Sequence, residues 1–237
     1  MPSFVSHIEL SKDVSDKLCF DNVLTRYAST YSLGGDLCRF SKCRRLSHRK
    51  KKEEFIFNMI NYIKENKLTD NKEVMGILYG HISHYIMDDT MHPLVRLIDK
   101  ESSPVRMKSH TLIEGMIDSY IVKYKYNKEI DEYLNKGMLI VGINKDGYKM
   151  INKVYEKTYG VKNVAISYIL SKFVYGKIYL LIRLIGKNNL KKITGYDKFI
   201  AKNKDVIDRN NKIISLYEES VRLVVLEINR VVKYMEL

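Results

Sequence analysis

The stretch VMGILYGHISHYIMDDTMH, residues 74–92, shows the three- and four-residue spacing of apolar side chains that is typical of an amphipathic α-helix. One face of this helix carries both apolar and polar side chains, namely Val74, Ile77, Leu78, His81, His84, Tyr85 and Asp88. The pair Asp70-Asn71 supplies cap-like side chains, and Pro93 would interrupt the hydrogen-bond ladder. We therefore expect a helix that begins after Asn71 and ends by Pro93.

Apolar residues recur at helical spacing along most of the chain, and no run alternates between apolar and polar residues as a half-buried strand would. Further helices are predicted around residues 55–63, 105–126, 148–159, 163–185 and 206–235. Loops are predicted at residues 32–52, 94–104 and 186–196. The sequence therefore predicts an all-α, single-domain helical bundle over residues 1–237.

The composition is that of a strongly basic globular chain. Among 237 residues, Lys and Arg number 41 and Asp and Glu number 28, so the formal net charge is +13. Apolar residues make up 45% of the chain, which is enough for a core and excludes a disordered or fibrous class. Taken alone, the charge is suited to any polyanion, such as a nucleic acid or an anionic lipid surface.

Neither an export signal nor a membrane span is visible in the sequence. The N-terminus, MPSFVSHIELSKDVSDKL, lacks the basic region followed by an apolar core that a secretory signal requires. The most apolar stretch, residues 161–185, is interrupted by four basic residues, too many for a bilayer span. The three cysteines, Cys19, Cys38 and Cys43, neither pair completely nor match a zinc knuckle. We therefore expect free thiols and a cytoplasmic protein.

Histidine and carboxylate pairs mark two of the predicted helices. His84 and Asp88 are four residues apart, as are His110 and Glu114, so each pair shares one helix face. Burying a polar group costs about 2–7 kcal/mol unless it is satisfied, and a metal ion satisfies several such groups at once. Zinc accepts imidazole nitrogen and carboxylate oxygen, whereas magnesium and calcium prefer mostly oxygen. The sequence therefore predicts a multi-histidine zinc cluster.

Five motifs, in this order along the chain, resemble the bacterial zinc-dependent phospholipase C family. They are MPSFVSH at the start, SLGGDLCRF at 32–40, His48, YGHISHYIMDDTMHPLV at 79–95 and SHTLIEGMID at 109–118. The resemblance implies an all-helical bundle with up to three metal ions at one end, a fold shared with a related family of single-strand nucleases. Toxin-like members add a β-sandwich that binds calcium and lipid. The helical spacing of the C-terminal half predicts no such β-sandwich in this chain.

The resemblance also implies which residues hold the metal ions. One zinc would be held by Asp36, His48, His84 and Asp88, a second by His92, His110 and Glu114, and a third by His7 with Asp88 as a bridging carboxylate. Secreted members complete the third site with an N-terminal Trp, and this chain has no Trp. Two zinc ions are therefore expected, and the third lacks that donor. His81 and Asp118 are expected outside the ligand set, as residues that orient the ligands.

The activity implied by the resemblance is hydrolysis of a phosphodiester. Zinc lowers the pKa of a bound water towards about 7, and attack on a phospholipid would release diacylglycerol and a phosphorylated head group. Asp36 would orient or deprotonate that water. The basic residues Arg44, Arg45 and Arg49 would steer a phosphate or an anionic membrane surface towards the site, or would form a solvated loop.

Three alternatives remain open at this point. A zinc-dependent nuclease of the related fold would use the same metals, and the net charge also suits nucleic acid. A non-catalytic basic helical protein that binds nucleic acid or membrane would leave the histidines structural and would contain no zinc. A family member could also have drifted to an unknown small phosphoester.

Overall fold

The computed structural model describes residues 4–46, 51–103, 109–134, 139–140, 142–185 and 195–236, and every regular element within them is a helix. In chain order these helices are α1 (Phe4–Lys17), α2 (Asn22–Tyr31), α3 (Lys52–Glu65), α4 (Lys72–Glu101), α5 (Ser109–Tyr126), α6 (Ile130–Tyr133), α7 (Lys145–Tyr159), α8 (Val164–Ile185), α9 (Tyr196–Lys202), α10 (Lys204–Arg209) and α11 (Ile213–Glu236). Two 3-10 helices, Gly34–Cys38 and Lys42–Arg45, follow α2. The predicted all-α class is confirmed.

Helix α4 lies at the centre of the packing, since α2, α3, α5 and α11 all contact it. Asn71 caps its first turn, where the side chain accepts a hydrogen bond from the Val74 N–H at 3.2 Å. Close approach of α2 depends on a glycine, because a Cβ at Gly80 would lie 2.4 Å from the backbone of Tyr31. The helix that carries most of the predicted ligands is thus enclosed on several sides.

The predicted end of this helix at Pro93 is wrong, because α4 continues to Glu101. Proline removes one hydrogen bond, the one that the carbonyl of Asp89 would otherwise accept. Pro93 and Asp89 are exposed, so water can hydrate that carbonyl. The residues that follow are held by burial, since Leu94 and Ile98 are in the core. Tertiary packing therefore outweighs the local helix-breaking signal.

Other boundaries also differ from the predictions. Helices α1 and α2 were not predicted, because buried polar residues such as Ser6 and Glu9 interrupt the apolar pattern of α1. The predicted helix at 206–235 is divided, since α10 ends at Arg209, where the Asn210 side chain donates to the Val206 carbonyl. The predicted loop at 32–52 contains the two 3-10 helices, and residues 104–108 and 186–194 lie outside the described residues.

The first turn of α1 is fixed to α5 by a buried carboxylate. Asp118 accepts hydrogen bonds from the Ser6 N–H at 2.8 Å and from the Ser6 hydroxyl at 2.5 Å, and the Val5 N–H lies 3.4 Å from its other oxygen. These contacts satisfy N–H groups at the start of α1 that have no partner within the helix. They also place His7, one residue further along, between α4 and α5.

Helix α8 corresponds closely to the predicted helix at 163–185. It packs on α7 and on the 3-10 helix Gly34–Cys38. Among the described helices, none combines the length and the apolarity that crossing a bilayer requires.

Candidate metal centre

Three residues from two helices form a buried cluster, which we call the inner group: His7 of α1 with His84 and Asp88 of α4. Each offers a ligand atom within 4.8 Å of the others. Asp88 lies between the two imidazoles, with Oδ1 3.4 Å from His7 Nε2 and Oδ2 3.5 Å from His84 Nε2. The ring centroids of His7 and His84 are 4.6 Å apart. The predicted pair His84 and Asp88 is thus joined by His7, which belongs to the motif at the start of the chain.

The backbone before the first 3-10 helix sets the orientation of His84. Its Nδ1 lies 3.1 Å from the Ser32 carbonyl, which can only accept, so Nδ1 carries the proton and Nε2 presents its lone pair to the inner group. Gly34 makes this approach possible. Its φ is +44°, and a Cβ there would lie 2.4 Å from Cγ of the His84 ring.

A second cluster, the outer group, joins α4 to α5 through His92, His110 and Glu114. Their ligand atoms also lie within 4.8 Å of one another. His110 Nε2 is 3.1 Å from Glu114 Oε1, and His92 Nδ1 lies 3.0 Å from the carbonyl of Asp88, to which it donates. The His92 and His110 side chains are 35% and 39% exposed. The outer group is therefore open to solvent.

The two groups adjoin at Asp88. Its Oδ1, which contacts His7, is also 3.4 Å from His92 Nδ1. A cavity of about 20 Å³, room for about one water-sized sphere, is lined by members of both groups. Its lining residues are His7, Met87, Asp88, Met91, His92, Val95, Glu114 and Ile117. Candidate ligands from α1, α4 and α5 thus line one small cavity.

Nearby carboxylates raise the pKa of one histidine in each group. Burial opposes the charged form of His7, but the hydrogen bond to Asp88 and the charges of Asp88, Asp36 and Asp118 outweigh it, so the pKa of His7 is raised above 6.5. The hydrogen bond to Glu114 likewise raises the pKa of His110 above 6.5, although partial burial opposes it. The same carboxylate charges would favour a divalent cation, which would bind the neutral form of these histidines in place of the protons.

The donor set fits zinc. Imidazole nitrogens and carboxylate oxygens converge, as zinc requires, and the backbone carbonyls of Ser32 and Asp88 fix the tautomers of two of the histidines. His7 Nδ1 is buried without a hydrogen-bond partner among the described residues. Burying this imidazole beside Asp88 is otherwise costly, and a bound cation would offset that cost.

His81 is equally buried on the same helix but has its nitrogens occupied by protein groups. Nδ1 donates to the Ile77 carbonyl at 2.8 Å, and Nε2 accepts from the Tyr168 hydroxyl at 2.6 Å. Burial lowers its pKa to about 4, with the Ile77 contact opposing. His81 is therefore a neutral histidine that joins α4 to α8, and it lies outside both groups.

The remaining predicted residues are placed as follows. Asp36 lies in the 3-10 helix Gly34–Cys38, close enough to His7 to raise its pKa, but it is not part of the inner group. Asp118 holds the start of α1 and does not belong to either group. His48 and Arg49 lie outside the described residues, and Arg44 and Arg45 lie in the second 3-10 helix, with side chains that are not described.

The residues that position the inner group were not predicted from the sequence. Ser32 orients His84 through its carbonyl, and no sequence pattern identifies a backbone contact. Gly34 was detectable in principle, because the Gly-Gly pair directly before Asp36 indicates a tight turn or a close approach. Ser6, which Asp118 anchors, shows no signal at all.

Comparison with curated proteins and with solved structures gave no significant match. A family model described as zinc dependent phospholipase C matches residues 17–161, which is more than half of the chain. The matched range contains the outer group and two of the three inner residues, whereas His7 precedes it. The chain therefore belongs to the zinc-dependent phospholipase C family.

Proposed function

We propose that this chain hydrolyses a phospholipid in the manner of a phospholipase C, releasing a phosphorylated head group and diacylglycerol. Family membership supports a zinc-dependent phosphodiesterase type of function. The observation that carries the proposal is the pair of adjoining groups, two clusters of histidine and carboxylate around one cavity with a shared aspartate.

In this proposal His84 and Asp88 of the inner group would hold one zinc together with Asp36 and His48, and the outer group would hold a second. Bound zinc supplies positive charge for the non-bridging oxygens of the phosphate and makes a nucleophilic water available near neutral pH. The cavity between the groups has room for about one water-sized sphere, so it is the expected position of the attacking water, and both groups line it. A third zinc would be held by His7, with Asp88 as a bridging carboxylate.

The chain's own side chains have distinct tasks. Asp88 keeps His7, His84 and His92 turned towards one carboxylate, so their positions are set before substrate arrives. Asp36 is the proposed proton acceptor for the attacking water. As the new P–O bond forms, the bond from phosphorus to the glyceryl oxygen breaks. That oxygen takes up a proton from solvent water to leave as the alcohol, and Asp36 releases the proton it accepted to solvent.

Substrate steering is assigned to the basic segment that follows Asp36 along the chain. Arg44, Arg45 and Arg49 are close in sequence to Asp36 and His48, and an anionic phosphate would be attracted by their charge. Their part in the proposal is to raise the encounter rate with an anionic substrate rather than to act on the reacting atoms. Such an effect weakens as ionic strength rises.

Metal analysis combined with two substrates tests the proposal. We expect purified protein to contain at least one zinc per chain and to hydrolyse a chromogenic phosphocholine diester. His84→Ala and His110→Ala should each lower both zinc content and hydrolysis. His81→Gln is the matched control, because it changes a buried histidine of the same helix outside both groups, and its zinc content should be unchanged.

Two results would contradict the proposal. Zinc below one per chain, unaffected by His84→Ala and His110→Ala, would make the histidines structural. Zinc-dependent cleavage of single-stranded DNA, with no cleavage of the phosphocholine diester, would instead establish the nuclease alternative.

A further inference from the structure

One side of α8 forms an exposed apolar stripe. Its members lie on one face of the helix at spacings of three, four and eight residues, and each is about half exposed or more: Ile166, Leu170, Phe173, Leu181 and Leu184. Lys177 lies on the same side, with Nζ 5.3 Å from the centroid of the Phe173 ring. From Ile166 to Leu184 the stripe extends about 27 Å. A single exposed leucine is ordinary, whereas a contiguous row of this length indicates an interaction surface.

The other side of α8 is occupied by contacts within the protein. The hydroxyls of Ser167 and Ser171 donate to the Leu37 carbonyl at 3.0 and 2.9 Å, and Lys172 is fully buried. Rotating α8 to bury the stripe would break these hydrogen bonds and expose the core face of the helix. The apolar stripe is therefore an outward-facing feature of the folded protein.

All charged residues in the sequence around the stripe are basic. Residues 157–185 contain five Lys or Arg, of which only Lys172 is known to be buried, and no Asp or Glu. Phe40, an exposed residue that follows Arg39, adds a further apolar side chain near the start of α8, since its N–H donates to Ser167 Oγ at 3.0 Å. A row of large apolar side chains with basic surroundings is complementary to the surface of an anionic bilayer.

We propose that the α8 stripe docks the protein on an anionic phospholipid bilayer. The apolar side chains would enter the headgroup region, and the surrounding Lys and Arg would contact lipid phosphates. Single-stranded nucleic acid would use the charge but would leave the aliphatic side chains exposed to water. A second copy of the chain would bring two basic surfaces together, which is unfavourable. The bilayer alone satisfies both features of the stripe.

The docking surface connects to the candidate metal centre through the segment that carries Asp36. Ser167 and Ser171 hold Leu37, and the Tyr175 hydroxyl is 3.5 Å from the Asp36 carbonyl, to which it donates. The inference deepens the proposed function, because it gives a phospholipid hydrolase a way to stay at its substrate surface. Vesicle binding requires no turnover, so docking and hydrolysis can fail separately.

Sedimentation of the full chain with phosphatidylcholine vesicles, with and without phosphatidylserine, tests the docking. We expect stronger binding when phosphatidylserine is present, and weaker binding at high salt. Phe173→Ser and Leu181→Ser should each weaken binding about tenfold, because each removes a large apolar side chain from the membrane contact. Phe57→Ser and Leu226→Ser are matched controls, with 51% and 54% exposure against 52% and 54% for Phe173 and Leu181.

Equal losses in the matched controls, or no preference for phosphatidylserine, would overturn the proposal. A third result would also overturn it: the wild-type protein is a dimer in analytical ultracentrifugation, whereas Phe173→Ser is a monomer with unchanged vesicle binding. A second copy of the chain would then cover the stripe. Normal vesicle binding by His110→Ala, with hydrolysis lost, would support docking as a property separate from the metal centre. Circular dichroism confirms that each variant is folded.

Discussion

The inner and outer groups are built from the same residue types but differ in their surroundings. The inner group is enclosed, with His84 fully buried and oriented by the Ser32 carbonyl. The outer group joins α4 and α5 near the surface, where His92 and His110 are each more than a third exposed. The two groups therefore differ in how their side chains are positioned and in how accessible they are. The inner group is positioned by folding itself, whereas the outer group is accessible to solvent.

Asp88→Asn should have the largest effect, because Asp88 is a member of the inner group and also contacts His92 of the outer group. Its carboxylate contacts His7, His84 and His92, and the amide would keep the shape but lose the charge. We expect zinc to be lost from both groups and hydrolysis to fall by more than the roughly 10–100-fold that removal of an outer-shell partner costs. Zinc content and turnover of a soluble diester measure the two effects.

Asp89→Asn is the control for this substitution. It makes the same chemical change at the next residue, whose exposed carboxylate pairs with Lys52 on the protein surface. It should leave zinc content unchanged and alter stability by less than about 0.5 kcal/mol. If Asp88→Asn retained one zinc at wild-type affinity, the two groups would be independent, and the idea that one aspartate serves both would be wrong.

His110→Ala should remove the outer metal while sparing the fold. In chelator-treated protein we expect its free energy of unfolding to fall by about 1 kcal/mol or less, because the side chain is partly exposed although the Glu114 carboxylate loses a partner. His84→Ala in the same conditions should cost about 1–3 kcal/mol, since it leaves a cavity and an unsatisfied carbonyl. Urea unfolding with and without chelator separates these outcomes, and equal costs would contradict the proposed difference in burial.

Gly34→Ala should weaken the inner group selectively. The added Cβ would meet the His84 ring, and the positive φ of this residue costs a non-glycine side chain about 1–2 kcal/mol. We expect a second, weaker zinc-binding step in competition with a fluorescent chelator, with the outer step unchanged. Gly115→Ala is the control beside Glu114, where a Cβ meets no atom within 4 Å, and it should leave both steps intact.

In each group, the pair that lies on one helix was predictable from spacing, and its contact with the histidine from another helix was not. A helix places residues four apart on one face, so His110 with Glu114 and His84 with Asp88 could be paired from spacing alone. His7 meets His84 and Asp88 only because α1 packs against α4 and α5. This contact spans more than seventy residues of sequence, and no periodicity encodes it. The family resemblance named His7, but spacing and composition did not.

The helical class was predictable because the 3.6-residue apolar period survives along most of the chain. The end of α4 was not, since burial of Leu94 and Ile98 outweighs the effect of Pro93. Helix α1 escaped detection because its buried polar residues are satisfied by distant partners. Ser6 is paired with Asp118, and Glu9 is paired with Lys125. Local pattern therefore predicted elements well wherever apolar burial alone determines them.

Asp118→Asn should give the smallest effect and the sharpest test of how the inner group is positioned. The amide oxygen could still accept from the Ser6 N–H and hydroxyl, but the amide NH2 group would replace the oxygen that faces the Val5 N–H. Two donors would then meet at this point, so the start of α1 would shift relative to α4. We expect a loss of about tenfold in affinity at the inner zinc step, within the range for residues that orient ligands, and no change at the outer step. Chelator competition resolves the two steps. Ser6→Ala should reproduce part of the effect, because it deletes one of the two hydrogen bonds while the N–H contact remains. An equal weakening of both steps would instead mean that Asp118 acts through the charge it places near the whole cavity, and not through the position of His7.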